Sequence, residues 1–324
     1  MNSPDTVRVP YRKLLAFTRA TFSEHGLPPA RAHTAAAALC YADLRGLAPH
    51  GIAELTGLHL PLLADGRADP AAEPVALHDT GACTLVEARG ALGLWAASEA
   101  VDSAIDRAAQ HGVGLVSVRG TTPFGCAGVH AIRATRDGML GVLASTGGPA
   151  PSGPSHPVAA AAPALDQRPF VLDRSAALSP RDPGFPLPDP DGELCWPDEE
   201  PDVGQDGLGP FAPLLTAMLC GSTGSLPHLG GAEPDTTDFV ALALDPGAIC
   251  PGHDAITTAR SLFTALAPRT PPRPEQGGTT GYPGWLEAER VDHALHEGVP
   301  LPRDLHEELV SFGLEDAEQQ LVAV

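Results

Sequence analysis

His50 and Glu54, four residues apart, form the most promising acid–base pairing in this sequence. If the segment beginning at His50 is helical, both side chains share one face, and a carboxylate there orients an imidazole that exchanges protons near neutral pH. The other role open to His50 is packing or capping at a helix start. Asp173 ends the run Phe170-Val171-Leu172-Asp173, which reads as a strand; it either orients a catalytic group or closes a turn. Ser155 and His156 lie in a Gly/Pro/Ser-rich stretch, 147–157, where they donate to a phosphate or substrate oxygen or merely fill a loop. Cys126 follows Gly125 at a predicted helix start, where the dipole lowers a thiol's pKa, although small-residue packing is the simpler role. His130 falls two turns, about 10 Å, beyond Pro123 and reads as a helix-surface or interface histidine.

Other chemistries are excluded by what is scarce. The only lysine is Lys13, in the first predicted helix, so Schiff-base chemistry or a lysine phosphate clamp has no other residue to use. The six cysteines occur singly, with no CxxC pair, and no metal site is expected. The net charge of −20, from 40 acids and 20 bases, argues against nucleic acid and anionic membranes as partners. A small-molecule substrate is the expectation. No apolar run approaches the roughly 18 residues of a membrane span. Met1–Asp5 lacks the regions of a signal peptide, so a cytoplasmic location is expected. A hydrophobic content of 43% is enough for a packed core.

The elements that must carry these residues alternate between helix and strand. Helices are predicted at 10–25, 30–45, from His50 to near Gly66, at 91–111, 125–137, 213–219, 255–266 and 303–313. Strands are predicted at 74–78, 83–86, 112–119, 139–145, 170–173 and 238–244. Residues 179–210 read as an irregular surface excursion and 268–283 as a Pro/Gly-rich linker. The pattern gives an α/β class in three parts: a helical segment, 1–72, with the His50 motif; a central mixed-sheet domain, 73–250; and a C-terminal helical segment, 251–324, that completes the first.

Six ordered blocks carry a resemblance. Ala42-Asp43-Leu44-Arg45-Gly46-Leu47-Ala48-Pro49-His50-Gly51 resembles the "ADxRGxxSHG" signature of the malate/L-lactate dehydrogenase family, the non-Rossmann NAD(P)-dependent 2-hydroxy-acid dehydrogenases and cyclic-imine reductases. Val118–Gly128 is similar to "VRxSNHFGAAG", Gly153–Ala159 to "GTNPIA" and Phe170–Asp173 to "FxLD". Leu208-Gly209-Pro210-Phe211 with the following helix is similar to "KGYG…LxG", and Tyr282-Pro283-Gly284 matches "YPG". The resemblance implies the non-Rossmann α/β fold, an NAD or NADP cofactor, and a homodimer with its site near the subunit interface. It places His50, Glu54 and Asp173 on the catalytic side, and Pro123, Gly125, Ser155 and His156 on the cofactor side.

The chain departs from the family at functional positions. The proton-transferring histidine of "NHFG" is Pro123, the cofactor lysine is Leu208, the asparagine of "GTNP" is His156, and the serine of "SHG" is Pro49. The arginine that would pair with a substrate carboxylate is Glu54. A 2-oxo acid is normally held by a bidentate arginine, and Glu54 would repel it. The expected function is therefore NAD(P)H-dependent reduction of a ketone or imine other than a simple 2-oxo acid, with His50 taking over proton transfer. The alternatives are a cofactor-independent isomerase, dehydratase or cyclase in a biosynthetic pathway, and a non-catalytic partner subunit.

Overall fold

The computed structural model describes residues 6–146, 158–165, 168–173, 187–188, 194–195, 208–221, 236–252, 254–266 and 282–316. The chain enters through strand β1 (Thr6–Val9) and helices α1 (Tyr11–Glu24) and α2 (Pro29–Leu44). Pro28 and Pro29 suit a helix start, because the first backbone N–H groups have no intrahelical acceptor to lose. A short 3-10 turn, Ala48–His50, and a π-helical turn, Leu55–His59, lead into α3 (Leu60–Ala64). The expected single helix from His50 to Gly66 is thus three short pieces.

Strands β2 (Val75–Asp79) and β3 (Cys83–Glu87) form a hairpin, and α4 (Gly93–His111) crosses to β4 (Val113–Thr121). The crossover makes β3 and β4 parallel. Next come α5 (Ala127–Ala131), which continues as a 3-10 helix over Ile132–Asp137, then β5 (Leu140–Ser145), β6 (Val158–Leu165) and β7 (Arg168–Asp173). The two-residue strands β8 (Leu187–Pro188) and β9 (Leu194–Cys195) pair with each other. Of the expected 179–210 excursion, Leu208–Pro210 instead belong to helix α6 (Leu208–Cys220), and the rest apart from β8 and β9, with the 147–157 loop and most of the 268–283 linker, lies outside the described residues. Then follow α6 (Leu208–Cys220), β10 (Thr237–Leu244), α7 (Pro246–Ile249), α8 (Ala255–Leu266), α9 (Trp285–Glu297), β11 (Val299–Pro302) and α10 (Arg303–Ser311).

Seven strands form one mixed sheet in the order β2-β3-β4-β10-β5-β6-β7, antiparallel except at β3–β4. β10 lies at its centre and is buried along nearly its whole length rather than at alternate residues, as a strand covered on both faces must be. Helices α4 and α6 both pack on it. Beneath α4 the core is built from Leu94, Trp95, Val101, Phe124 and Phe239. β1 and β11 form a separate antiparallel pair, which ties the start of the chain to residues 299–302. The mixed α/β class is as expected. β1, β6, the β8–β9 pair, α7, α9 and β11 were not anticipated.

Candidate active site

The segment after α2 is built around a buried carboxylate. Asp43, in the last turn of α2, accepts the Ile52 N–H at 2.6 Å. Its oxygens sit where a Cβ on Gly51 would lie, 2.3 Å from Oδ1, so only glycine lets the loop close over Asp43. Burial pushes the Asp43 carboxyl up to about 7, against the Ile52 hydrogen bond, and the nearby charge of Glu54 adds to the rise. Asp43 is therefore the brace of the His50-Gly51 turn. Arg45 is 2% exposed, and its Nε finds no hydrogen-bond partner among the described residues. Its guanidinium faces the Tyr41 ring 5.8 Å from the centroid, near the outer limit of a cation–π contact.

From this turn the chain places three titratable side chains together. His50 Nδ1 lies 3.6 Å from Glu54 Oε1, and Glu54 Oε2 lies 3.8 Å from His59 Nε2. Glu54 and His59 are buried. Burial pushes the Glu54 carboxyl up, but the two imidazoles outweigh it and hold the group below its ordinary value. Neither ring nitrogen of His59, nor Glu54 Oε2, has a partner at hydrogen-bond distance among the described residues.

The turn between β4 and α5 lies against this segment. Gly125 has a left-handed φ of 73°, and a Cβ there would stand 3.7 Å from the His50 carbonyl oxygen, so the two segments touch. Asp173, at the end of β7, accepts the Gly128 N–H at 2.7 Å and the Cys126 thiol at 2.9 Å. It thereby places a carboxylate at the start of α5, where exposed N–H groups favour negative charge. A Cβ on Gly128 would fall 2.3 Å from Asp173 Oδ2. The Tyr282-Pro283 segment holds β7 in place: the Tyr282 hydroxyl donates to the Arg168 carbonyl, and the Val171 N–H donates to the Pro283 carbonyl.

The simpler role expected of Cys126 fits its surroundings, whereas the expectation for His130 changes. Burial and the Asp173 charge push the Cys126 thiol well up, which makes it a packing residue rather than a reactive thiolate. His130 is fully buried rather than on a helix surface, bonded to Ser98 Oγ at 2.9 Å and the Phe124 carbonyl at 3.0 Å.

Of the residues expected at the site, His50 and Glu54 are in contact, Gly125 lies in the adjoining turn, and Asp173, at the end of β7, bonds to Cys126 and Gly128 beyond that turn. Pro123 is buried, with its carbonyl 2.8 Å from the place a Cβ on Gly93 would take. Ser155 and His156 lie outside the described residues. His59 escaped sequence reasoning altogether. Among the described residues, no group of three or more His, Cys, Asp or Glu side chains has the arrangement of a metal site. No described helix is long and apolar enough to cross a membrane.

Residues 9–182 match the family model described as malate/L-lactate dehydrogenase, and the chain belongs to that family. Among curated relatives, a malate dehydrogenase from Pyrococcus horikoshii is 29% identical over 182 residues, 54% of this chain and 50% of that protein. The chain thus spans about half the length of this relative in that alignment. A (2R)-3-sulfolactate dehydrogenase (NADP(+)) from Chromohalobacter salexigens is 27% identical over 89% of this chain and 93% of its own. The fold matches the solved structure of Pyrococcus horikoshii malate dehydrogenase with a TM-score of 0.77 at 21% identity, covering 95% of each chain.

Proposed function

We propose that this chain is an NAD(P)H-dependent reductase of a neutral or cationic carbonyl or imine compound, and that His50 is its proton donor. The carrying observation is the buried Glu54 carboxylate 3.6 Å from His50 in a chain of a dehydrogenase family. A carboxylate beside an imidazole favours the imidazolium and fixes one ring nitrogen on itself. With Nδ1 turned to Glu54, we assign delivery of the proton to the substrate oxygen or nitrogen to Nε2. The same negative charge disfavours a 2-oxo acid and favours an imine that is protonated as it reacts.

Arg45 supports the cofactor part of this reading. It is a buried cation with an unpartnered Nε, and its charge acts on the Cys126 thiol beside Gly125. A guanidinium in that setting suits a phosphate or other anionic group, and we assign it, with Gly125, Ser155 and His156, to the cofactor side. The nicotinamide, when bound, supplies the hydride. The chain's own part is to hold the carbonyl or imine at His50 and to deliver the proton.

Calorimetric titration with NADH and NADPH, followed by dinucleotide oxidation assays, tests this. The expected result is micromolar binding, turnover of a cyclic imine or amine-bearing ketone, and little turnover of a 2-oxo acid. Glu54→Arg should raise the ratio of kcat/KM for the 2-oxo acid over that for the imine by about tenfold or more, because it restores a cation for the carboxylate, while lowering turnover of both, because His50 loses the carboxylate that favours its imidazolium. No binding at millimolar dinucleotide would sink the proposal. It would favour a redox-neutral acid–base enzyme, a reading that draws support from the buried Pro123 standing where the resemblance implies a histidine.

A further inference from the structure

Glu54 faces two histidines, and the proton transfer proposed above uses only one. His59 stands five residues beyond Glu54. On an ideal α-helix that spacing leaves side chains about 140° apart, on different faces. Here the backbone forms a π turn over Leu55–His59, with the Leu60 N–H bonded to the Leu55 carbonyl five residues back. The wider turn carries His59 round to Glu54 Oε2, 3.8 Å from Nε2, while Glu54 Oε1 faces His50. Single π turns are uncommon and tend to occur at functional sites.

The surroundings of His59 give it no other occupation. It is 0% exposed, and both ring nitrogens lack a hydrogen-bond partner among the described residues. A buried imidazole that serves packing alone would be replaced at a gain by leucine, since each unpaired nitrogen costs free energy. A buried carboxylate has the converse need, because without compensating donors or cations it takes up a proton.

We propose that His59 is a positioning residue that keeps the Glu54 carboxylate charged and directed at His50, so that the proton-donating pair persists to lower pH. The inference rests on the reading of His50 as proton donor. The working form is Glu54 carboxylate with His50 imidazolium. In the step itself the His50 Nε2–H bond breaks and the proton goes to the substrate heteroatom. His50 is left neutral, to be reprotonated from water, and Glu54 and His59 keep their protonation. Among the described residues, Asp43, from α2, also bears on Glu54. Burial carries Asp43 to about 7, so it is largely neutral across the acid range and leaves the two imidazoles as the main influence there.

The proposal separates the two limbs of a pH profile. An N–H dipole facing Glu54 at 3.8 Å stabilises the carboxylate whether or not His50 is charged. Removing it therefore raises the proton uptake that closes the acid limb and leaves the alkaline limb, the loss of the His50 proton, in place. Removing the Glu54 charge does the reverse. The experiment is an NMR titration of the full-length chain labelled with carboxyl-13C glutamate and 15N histidine, without substrate, together with kcat against pH for wild type, His59→Leu, His59→Gln and Glu54→Gln. His59→Leu should raise the Glu54 titration and the acid limb together by about one unit. His59→Gln, which keeps an N–H donor, should restore most of that shift. Glu54→Gln should lower the His50 titration and the alkaline limb. An unmoved Glu54 titration in His59→Leu overturns the inference. So does a wild-type 15N spectrum in which His59 Nε2 carries no proton, a result that needs no variant to fold. A normal NMR response with no dinucleotide turnover would instead overturn the reductase reading while supporting the coupling of His59 to Glu54.

Discussion

His130 and His59 are both fully buried histidines, and their neighbourhoods differ in every polar respect. His130 has a partner on each nitrogen. The Phe124 carbonyl can only accept, so Nε2 must donate to it, and Nδ1 then accepts from the Ser98 hydroxyl. The Phe124 ring packs edge-on against the imidazole with centroids 5.7 Å apart. A neutral tautomer is fixed, and burial lowers its pKa to about 4. His59 has no bonded partner among the described residues and faces a carboxylate at ion-pair range. The first arrangement is what a folding role looks like: every group is satisfied and there is nothing to exchange. The second retains unspent hydrogen-bonding capacity in a place where that is costly, which makes sense if the group serves chemistry.

The largest effect should come from breaking the satisfied histidine. His130→Leu leaves the Ser98 hydroxyl and the Phe124 carbonyl buried without a partner, which should cost about 2–4 kcal/mol of folding stability. The stability that His130 confers should also depend on pH. The unfolded chain takes a proton on this histidine near 6.5, while the folded one resists until about 4. The folded state therefore binds fewer protons across that window, so this contribution is complete above 6.5 and disappears as pH falls toward 4. The shift corresponds to roughly 3 kcal/mol, read as the wild-type urea midpoint minus that of His130→Leu at a series of pH values. A difference that does not change between pH 4 and 7 would mean that His130 is not held neutral.

A smaller effect is expected at the other end of the same bond. Ser98→Ala removes one donor and leaves Nδ1 of His130 unpaired, while the Phe124 bond persists. The expected loss is about 1–2 kcal/mol, with turnover per folded molecule unchanged. Loss of turnover in a stably folded Ser98→Ala would show that the His130 network communicates with the site and would blur the contrast with His59.

How far these two histidines could be told apart from sequence follows from the geometry each depends on. His130 looked like a surface residue because 125–137 was expected to be one helix. The chain instead tightens to a 3-10 helix after Ala131, and the partners Ser98 and Phe124 arrive from α4 and from the β4–α5 turn. His59 was invisible because a spacing of five has no meaning on an α-helix, and the π turn that gives it meaning leaves no simple residue pattern. His50 with Glu54 was legible because a spacing of four pairs residues on most helical turns. Most of the sheet was legible as well, since β2, β3, β4, β5 and β10 are rich in β-branched or alternating residues. β6 was missed because Val-Ala-Ala-Ala-Ala-Pro-Ala-Leu has neither period. β1 and β11 were missed because two four-residue strands, one with two prolines, pair across nearly the whole chain with no local signal.

The smallest effect should fall on the histidine with the most unusual surroundings. His59→Leu exchanges an imidazole for an aliphatic group of similar size in a segment whose Leu55, Leu60 and Leu62 are all buried. It removes two unpaired nitrogens, which favours the folded state, and a contact to Glu54 that is 3.8 Å long, which disfavours it. These terms oppose each other, and replacing an unsatisfied polar group with an apolar one of like shape is often neutral or better. The urea midpoint of His59→Leu at pH 7 should therefore lie within about 1 kcal/mol of wild type, in contrast to the same substitution at His130. A loss as large as that at His130 would mean that Glu54 and His59 form a tight ion pair on which the fold depends, since removing one partner of such a pair costs about 3–5 kcal/mol. A near-neutral result would leave the placement of a histidine at this buried position to be explained by what it does to Glu54 and, through Glu54, to His50.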